Sequence, residues 1–207
     1  MMMLADVGSL LRGAFLPLLV AAVVCPAASA NDGYGLWMSH RRLADSTTRR
    51  EYQRMFSSIV IQGQSRTLDI VREEVERGIE GLLGVEATIG GTLGEQGGLV
   101  IGTPKQCDLV RRLNLASELA RLGREGFLIR SVNIDGAPAA VIAGNEDVGL
   151  LYGAFHLLRL METGQPLAEV NVRSKPRVQY RLLNHWDNLD RSVERGYAGK
   201  SLWKWDE

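Results

Sequence analysis

The feature that most limits what this chain can fold into is a single apolar stripe. Leu68, Val71, Val75, Ile79 and Leu82 recur at spacings of three and four, which gathers them on one face of an α-helix. Ser65 stands where a helix N-cap belongs, and Gly84 where a left-handed stop belongs. The spacing therefore predicts a helix over 65–83. Glu73, Glu74, Glu76 and Arg77 fall largely outside the stripe and are expected to form a solvated face. A helix with one apolar face must bury it against another layer, so neighbouring segments have to supply that layer.

Several segments qualify. Within 57–62, Ile59, Val60 and Ile61 are contiguous, which reads as a short strand buried on both faces. A second short strand is expected over 99–102. The glycine-rich stretch 90–98 reads as a loop, and it lacks the lysine and spacing of a phosphate-binding cradle. Pro104 is expected in the first turn of a helix running to about Leu115, with Leu109, Val110 and Leu113 inward. Residues 117–122 add another helical turn or two. Strands are expected over 127–132 and 139–143, joined by a hairpin at Asp135-Gly136. A helix over 148–161 would bury Val148, Leu151, Phe155 and Leu158. Residues 31–45 read as extended chain, and 49–54 as a polar stretch with no assigned element.

This order predicts an α/β fold class: a small mixed sheet covered by helices on one face, an α/β sandwich over 31–165. Residues 166–176 are polar, begin and end in proline, and suit a linker. After Pro176 the character changes. Val178–Leu183 reads as a strand that runs into a dense polar and aromatic loop, Asn184 to Asp190.

The N-terminal 30 residues stand apart. Leu16 to Val24 is apolar except for Pro17, and Ala28-Ser29-Ala30 follows. The run is too short for a membrane span and suits a secretory signal peptide over 1–30, cleaved after Ala30. The expected product is secreted, with no membrane partner. Lysine plus arginine balance aspartate plus glutamate at 24 each, which argues against nucleic acid as a partner. With Cys25 in the leader, Cys107 is the one cysteine left, so no internal disulfide and no thiolate metal site is expected. Cys107 reads as a buried small hydrophobe. His40 and His156 read as surface or packing residues. No metal and no cofactor is expected.

The stretch Arg181–Trp205, RLLNHWDNLDRSVERGYAGKSLWKW, resembles the start of the catalytic barrel in family-67 α-glucuronidases. There a strand ends in an NHWDN-type loop followed by an ERGYAG segment. Gly126-Phe127-Leu128-Ile129, Ile142-Ala143-Gly144 and the run from Gly149 to Phe155 resemble the α/β domain that precedes that barrel. One departure is Arg191, where the family usually carries glycine.

The resemblance implies that 177–207 is the first strand and loop of a truncated (β/α)8 barrel. It implies an enzyme that removes glucuronic acid, or its 4-O-methyl ether, from xylo-oligosaccharides or glucuronoxylan fragments, with inversion. Inversion needs two carboxyl groups roughly 6.5–9.5 Å apart, and in the family these lie on later barrel strands. No catalytic residue is therefore expected in this chain, and Asp187 with Asp190 is not read as the pair. Trp186, directly after the expected strand, would wall the sugar. Asn188 and Arg195 would bind substrate, the latter through a uronate carboxylate, while Asp187 and Glu194 would hold the loop. The resemblance leaves room for a homodimer of the full-length enzyme. The alternative is a non-catalytic carbohydrate-binding or scaffold domain of another barrel glycosidase. Against the binding role, only Tyr34 and Trp37 cluster as aromatics ahead of the barrel segment.

Overall fold

The computed structural model describes residues 38–182, and the elements named below all lie in the compact unit Arg41–Glu207. Helix α1, Ser46–Met55, starts on Asp45, whose carboxylate accepts from the Thr47 and Thr48 amides at 2.9 and 3.3 Å. Strand β1 is Ile59–Ile61 and helix α2 is Arg66–Leu83. Ser65 caps α2 by accepting from the Leu68 amide at 3.1 Å, and Gly84 stops it at φ 67°, as the sequence predicts. Strands β2, Ile89–Gly90, and β3, Gly98–Gly102, follow. Two short helices, α3 (Asp108–Arg112) and α4 (Ala116–Leu122), lead to the hairpin of β4, Phe127–Ile134, and β5, Ala137–Gly144. Helix α5, Asp147–Glu162, and strand β6, Asn171–Ser174, complete the set.

The six strands form one mixed sheet in the order β2-β1-β3-β5-β4-β6. β2, β1, β3 and β5 run parallel, while β4 is antiparallel to both of its neighbours. The register aligns Ile61, Ile101, Ile142, Ile129 and Val172 across five strands. Residues one step along point the other way, so Val60, Val100 and Val141 line the opposite face. Both rows are covered. The first core joins Ile61, Ile101, Ile129 and Ile142 to Tyr52 of α1, to Val71, Val75 and Ile79 of α2, and to Leu150, Ala154 and Leu157 of α5. The second joins Val60, Val100, Leu128 and Val141 to Cys107, Val110 of α3 and Leu119 of α4.

The sandwich therefore has three layers, which corrects the expectation of helices on one face. Contiguous runs such as Ile59-Val60-Ile61 are buried on both sides, and a strand with two apolar faces needs cover on each. Other differences have local causes. The polar stretch 49–54 is helical because Asp45 caps it and Tyr52 and Phe56 anchor it. Pro104 heads a turn, not a helix: the Thr103 carbonyl accepts from Gln106 and Cys107 at 3.1 and 2.9 Å, so α3 begins at Asp108. Of the residues expected inward there, Val110 is fully buried while Leu109 and Leu113 pack at the margin of the second core. Glu74, expected on a solvated face, is 6 % exposed and pairs with Arg77 at 2.9 Å.

Helix α5 is turned relative to its expected phase. It buries Gly149, Leu150, Gly153, Ala154, Leu157, Leu158 and Met161, not Val148, Leu151 and Phe155. The two glycines decide this. A Cβ at Gly153 would lie 2.4 Å from Ile142 Cγ2, and one at Gly149 would lie 2.4 Å from the Gly126 carbonyl. The helix thus presents its glycines to the sheet for close approach. The expected linker 166–176 contains β6, which pairs with β4, and Leu167 beside it is fully buried. Residues 178–182, expected as a strand, are irregular; among the described residues no neighbour pairs with them.

Candidate functional site

Beyond β6 the chain crosses one corner of the sandwich, and two of its side chains, Lys175 and Arg181, hold it there. Lys175 donates to the Arg121 carbonyl at 3.1 Å. Arg181 donates through Nη1 to the Val178 carbonyl at 2.6 Å. Its Nη2 pairs with the Glu125 carboxylate and reaches the Tyr152 hydroxyl at 3.5 Å. The Glu125 hydrogen bond, followed by that to Tyr152, pushes the Arg181 pKa up further. Arg124 makes a two-pronged pair with Glu146 at 2.8 and 2.9 Å. Between these groups and Leu122, Val148 and residues 175–179 lies a cleft of about 480 Å³. Its rim is mainly basic: Arg124, Lys175, Arg177 and Arg181 against Glu125.

This corner is the approach to the segment in which sequence reasoning places the sugar-facing residues. Trp186, Asn188 and Arg195, together with Asp187 and Glu194, lie outside the described residues. So do Asn184, His185, Asp190, Arg191, Tyr34 and Trp37. The Arg181–Glu125–Tyr152 contact was not legible in the sequence. Its members are 56 and 29 positions apart and share no periodicity.

Among the described residues, two further clefts contain carboxylates but no evident acid–base pair. One of about 290 Å³ has an apolar floor of Val132, Pro138, Ala139 and Ala140, and Glu51 is its one carboxylate. Another, of about 350 Å³, contains Glu95, Asp108 and Asp135. Asp108 is bound to Arg111, and Asp135 to Arg112 at 2.9 Å, all at the surface. Open α/β sheets usually take ligands outside the carboxyl ends of parallel strands, where successive helices leave to opposite faces. Here that point lies between β1 and β3, and the chain's own groups bond across and beside it. Gln62 Oε1 accepts from the Asp108 amide at 3.2 Å, and Arg72 donates to the Gly63 carbonyl at 2.6 Å. The Gln106 side chain fills the space beside Gly63, where a Cβ would meet its Oε1 at 2.1 Å. Beside α5, Ser65 donates to Asp147 Oδ2 at 2.7 Å.

The nucleophile and imidazole candidates are structural. Cys107 is fully buried, as the sequence suggests, and burial pushes its thiol pKa up, away from the reactive thiolate. His156 packs its ring on Phe127 at 5.5 Å, and burial, then the Arg159 charge, lowers its pKa. His40 is buried. Among the described residues, Glu118 on α4 is held in its ionised form by two arginines. It accepts two bonds from Arg130 at 2.9 and 2.6 Å and one from Arg173 at 2.7 Å, which hold its pKa at about 2.

Comparison with known proteins supplies the assignment that this geometry alone does not. The family description "Glycosyl hydrolase family 67 N-terminus" matches residues 36–157, and "Glycosyl hydrolase family 67 middle domain" matches residues 160–207. The probable alpha-glucuronidase A of Aspergillus oryzae is 29% identical over 177 residues, covering 84% of this chain and 20% of the relative. The alpha-glucuronidase A of Emericella nidulans is 28% identical over 198 residues, 91% of this chain and 22% of the relative. That of Aspergillus tubingensis is 26% identical over 205 residues, 93% and 22%. A solved family-115 4-O-methyl-alpha-glucuronidase with specificity for decorated arabinogalactans aligns over 61% of this chain and 18% of its own, at 16% identity and a TM-score of 0.46. The chain spans about a fifth of the length of the curated relatives it matches. With more than half of its residues matched by the first of the two descriptions, the chain belongs to glycosyl hydrolase family 67.

Proposed function

We propose that this chain is the N-terminal portion of an exo-acting α-glucuronidase. The enzyme hydrolyses the α-1,2 bond that joins glucuronic acid, or its 4-O-methyl ether, to xylo-oligosaccharides, with inversion. The observation that carries the reading is the ordered match of both family-67 descriptions across residues 36–207, with the NHWDN and ERGYAG runs inside the second. In this reading the α/β sandwich is a scaffold for the barrel. Trp186 contributes an apolar wall against the sugar ring, and Asn188 and Arg195 bind its polar groups. The described clefts support a non-catalytic role for the sandwich. An inverting hydrolase needs one carboxylic acid at the leaving oxygen and one carboxylate to activate water on the opposite face. Glu51 stands alone in its cleft, and Asp108 and Asp135 are tied to arginines. In this reading the catalytic carboxyl groups lie on later strands of the barrel, as the family resemblance implies.

The test is direct. The purified chain is incubated with aldouronic oligosaccharides and released glucuronic acid is measured. The expected result is none above a no-protein control; turnover by this chain would overturn the assignment of catalysis to later strands. Secretion is part of the same proposal, with residues 1–30 as a cleaved leader. Intact-mass measurement of the exported protein should then give a mature N-terminus at Asn31.

A further inference from the structure

Helix α5 carries more apolar surface than the two cores consume. Its sheet-facing side is used by Leu150, Ala154, Leu157, Leu158 and Met161. Val148, Tyr152 and Phe155 follow one another at spacings of four and three, so they share a different face. None of these three belongs to either core. Val148 and Phe155 are half-buried, and Tyr152 is 38 % exposed. A helix that is apolar on nearly every side is one that is covered on nearly every side, and here one side is left over.

The tail beyond β6 adds to that surface. Val178, Tyr180 and Leu182 alternate along it and are 60, 76 and 88 % exposed. The segment is irregular, so no strand pleat orders these side chains, but all three are exposed and form a second apolar set without cover among the described residues. The two sets adjoin. Arg181, between Tyr180 and Leu182, reaches the Tyr152 hydroxyl and binds Glu125. Val148 and Val178 line the same cleft. Arg124, Lys175, Arg177 and Arg181 give the combined patch a charged rim, the apolar-centre and polar-rim pattern of an interface.

We infer that this patch, built from the outer face of α5 and the tail 178–182, is the seat of the domain that continues the chain from Leu183. The inference rests on the reading of the chain as part of a longer enzyme. Three observations select this occupant. Arg181 pins the tail to the patch, so whatever follows Leu182 starts out at the surface it would cover. The match to the family's middle domain begins at residue 160, inside α5, and runs on through the tail. The relatives are about five times as long as the matched stretch, which leaves a large body of chain to be seated. Attachment raises that body's effective concentration at the patch far above that of any free partner.

Hydroxyl-radical footprinting tests the inference on two proteins: the 207-residue chain, and the longer protein encoded by the open frame that runs past the codon for Glu207. In the 207-residue chain Tyr152 and Tyr180 should label readily. In the longer protein both should label several-fold more slowly, at every protein concentration. Tyr152→Glu in the longer protein should return Tyr180 to its fast rate while far-UV circular dichroism stays unchanged. Equal labelling of the two proteins would overturn the inference. So would protection that appears only as concentration rises, because a second copy would then be the occupant, and so would a frame that ends at Glu207. Glucuronic acid release by the same longer sample separates this inference from the reading beneath it. An active protein with Tyr152 unprotected sinks the interface alone. An inactive protein with Tyr152 protected sinks the glycosidase reading alone.

Discussion

Glu118 ties three elements together: it sits on α4 and accepts from Arg130 on β4 and Arg173 on β6. Two charge-assisted partners favour its ionised form, which is why its pKa falls from 4.5 to about 2. The consequence for stability has a definite sign. The folded state holds the carboxylate, while the unfolded chain protonates it at its ordinary pKa. The contribution is therefore fully present above that ordinary value and is lost as pH falls toward the folded one. Glu118→Gln should lower the thermal midpoint at neutral pH. The gap between the two proteins should then narrow as pH is taken from about 5 to about 3. Differential scanning calorimetry across that window checks it, and a gap independent of pH would show that the carboxylate's charge is not what α4 uses. None of this was visible in the sequence, because Glu118, Arg130 and Arg173 meet only through the register of β4 with β6.

At the scale of elements, Gly153 shows how one missing Cβ sets the rotation of a whole helix. Alanine there would gain about 1 kcal/mol of helix propensity. Its Cβ, however, would meet Ile142 Cγ2 at 2.4 Å and the Phe127 ring at 3.4 Å, in a core where Ile142 is fully buried. Overpacking of that kind costs about 1–3 kcal/mol, so the gain offsets part of it and the net expectation for Gly153→Ala is a loss of up to about 2 kcal/mol. Urea unfolding measures it. Combining it with Ile142→Ala should cost less than the two single changes added together, because the methyl that is struck has gone. The same helix explains why its phase was misread. With apolar residues on nearly every side, spacing alone does not choose a face, and two glycines do. Helix α2 was legible from end to end because its stripe, its serine cap and its glycine stop agree with one another. The β4–β5 hairpin was legible because Asp135 and Gly136 take φ of 53° and 92°, as an Asp-Gly turn requires. Strands β2 and β6 were not, since two and four residues at a sheet edge are defined by their partners. The run from Asn184 to Asn188 carried the family resemblance in the sequence, and it lies outside the described residues.

At the largest scale, the described residues build one sheet with a protected middle and two unequal edges. β1, β3 and β5 are buried on both faces and paired on both sides. β2 is an edge of two residues, and β6 an edge of four that alternates between exposed and half-buried. Opening a central strand uncovers both cores at once, so its amides exchange only when the unit unfolds globally. Opening β6 breaks its pairing with β4 and the Arg173–Glu118 bond, and leaves Ile101 and Ile142 covered by α2 and α5. Hydrogen exchange should therefore rank Val100 and Val141 as the slowest amides and those of 171–174 as distinctly faster. Glu118→Gln should speed exchange in 171–174 well beyond its effect on Val100 and Val141, since the charge-assisted Arg173 contact that it weakens is the one of its three bonds that reaches that edge. If 171–174 instead exchanged as slowly as β3, β6 would belong to the cooperative core, and the edge would need a larger fastening than Glu118 provides.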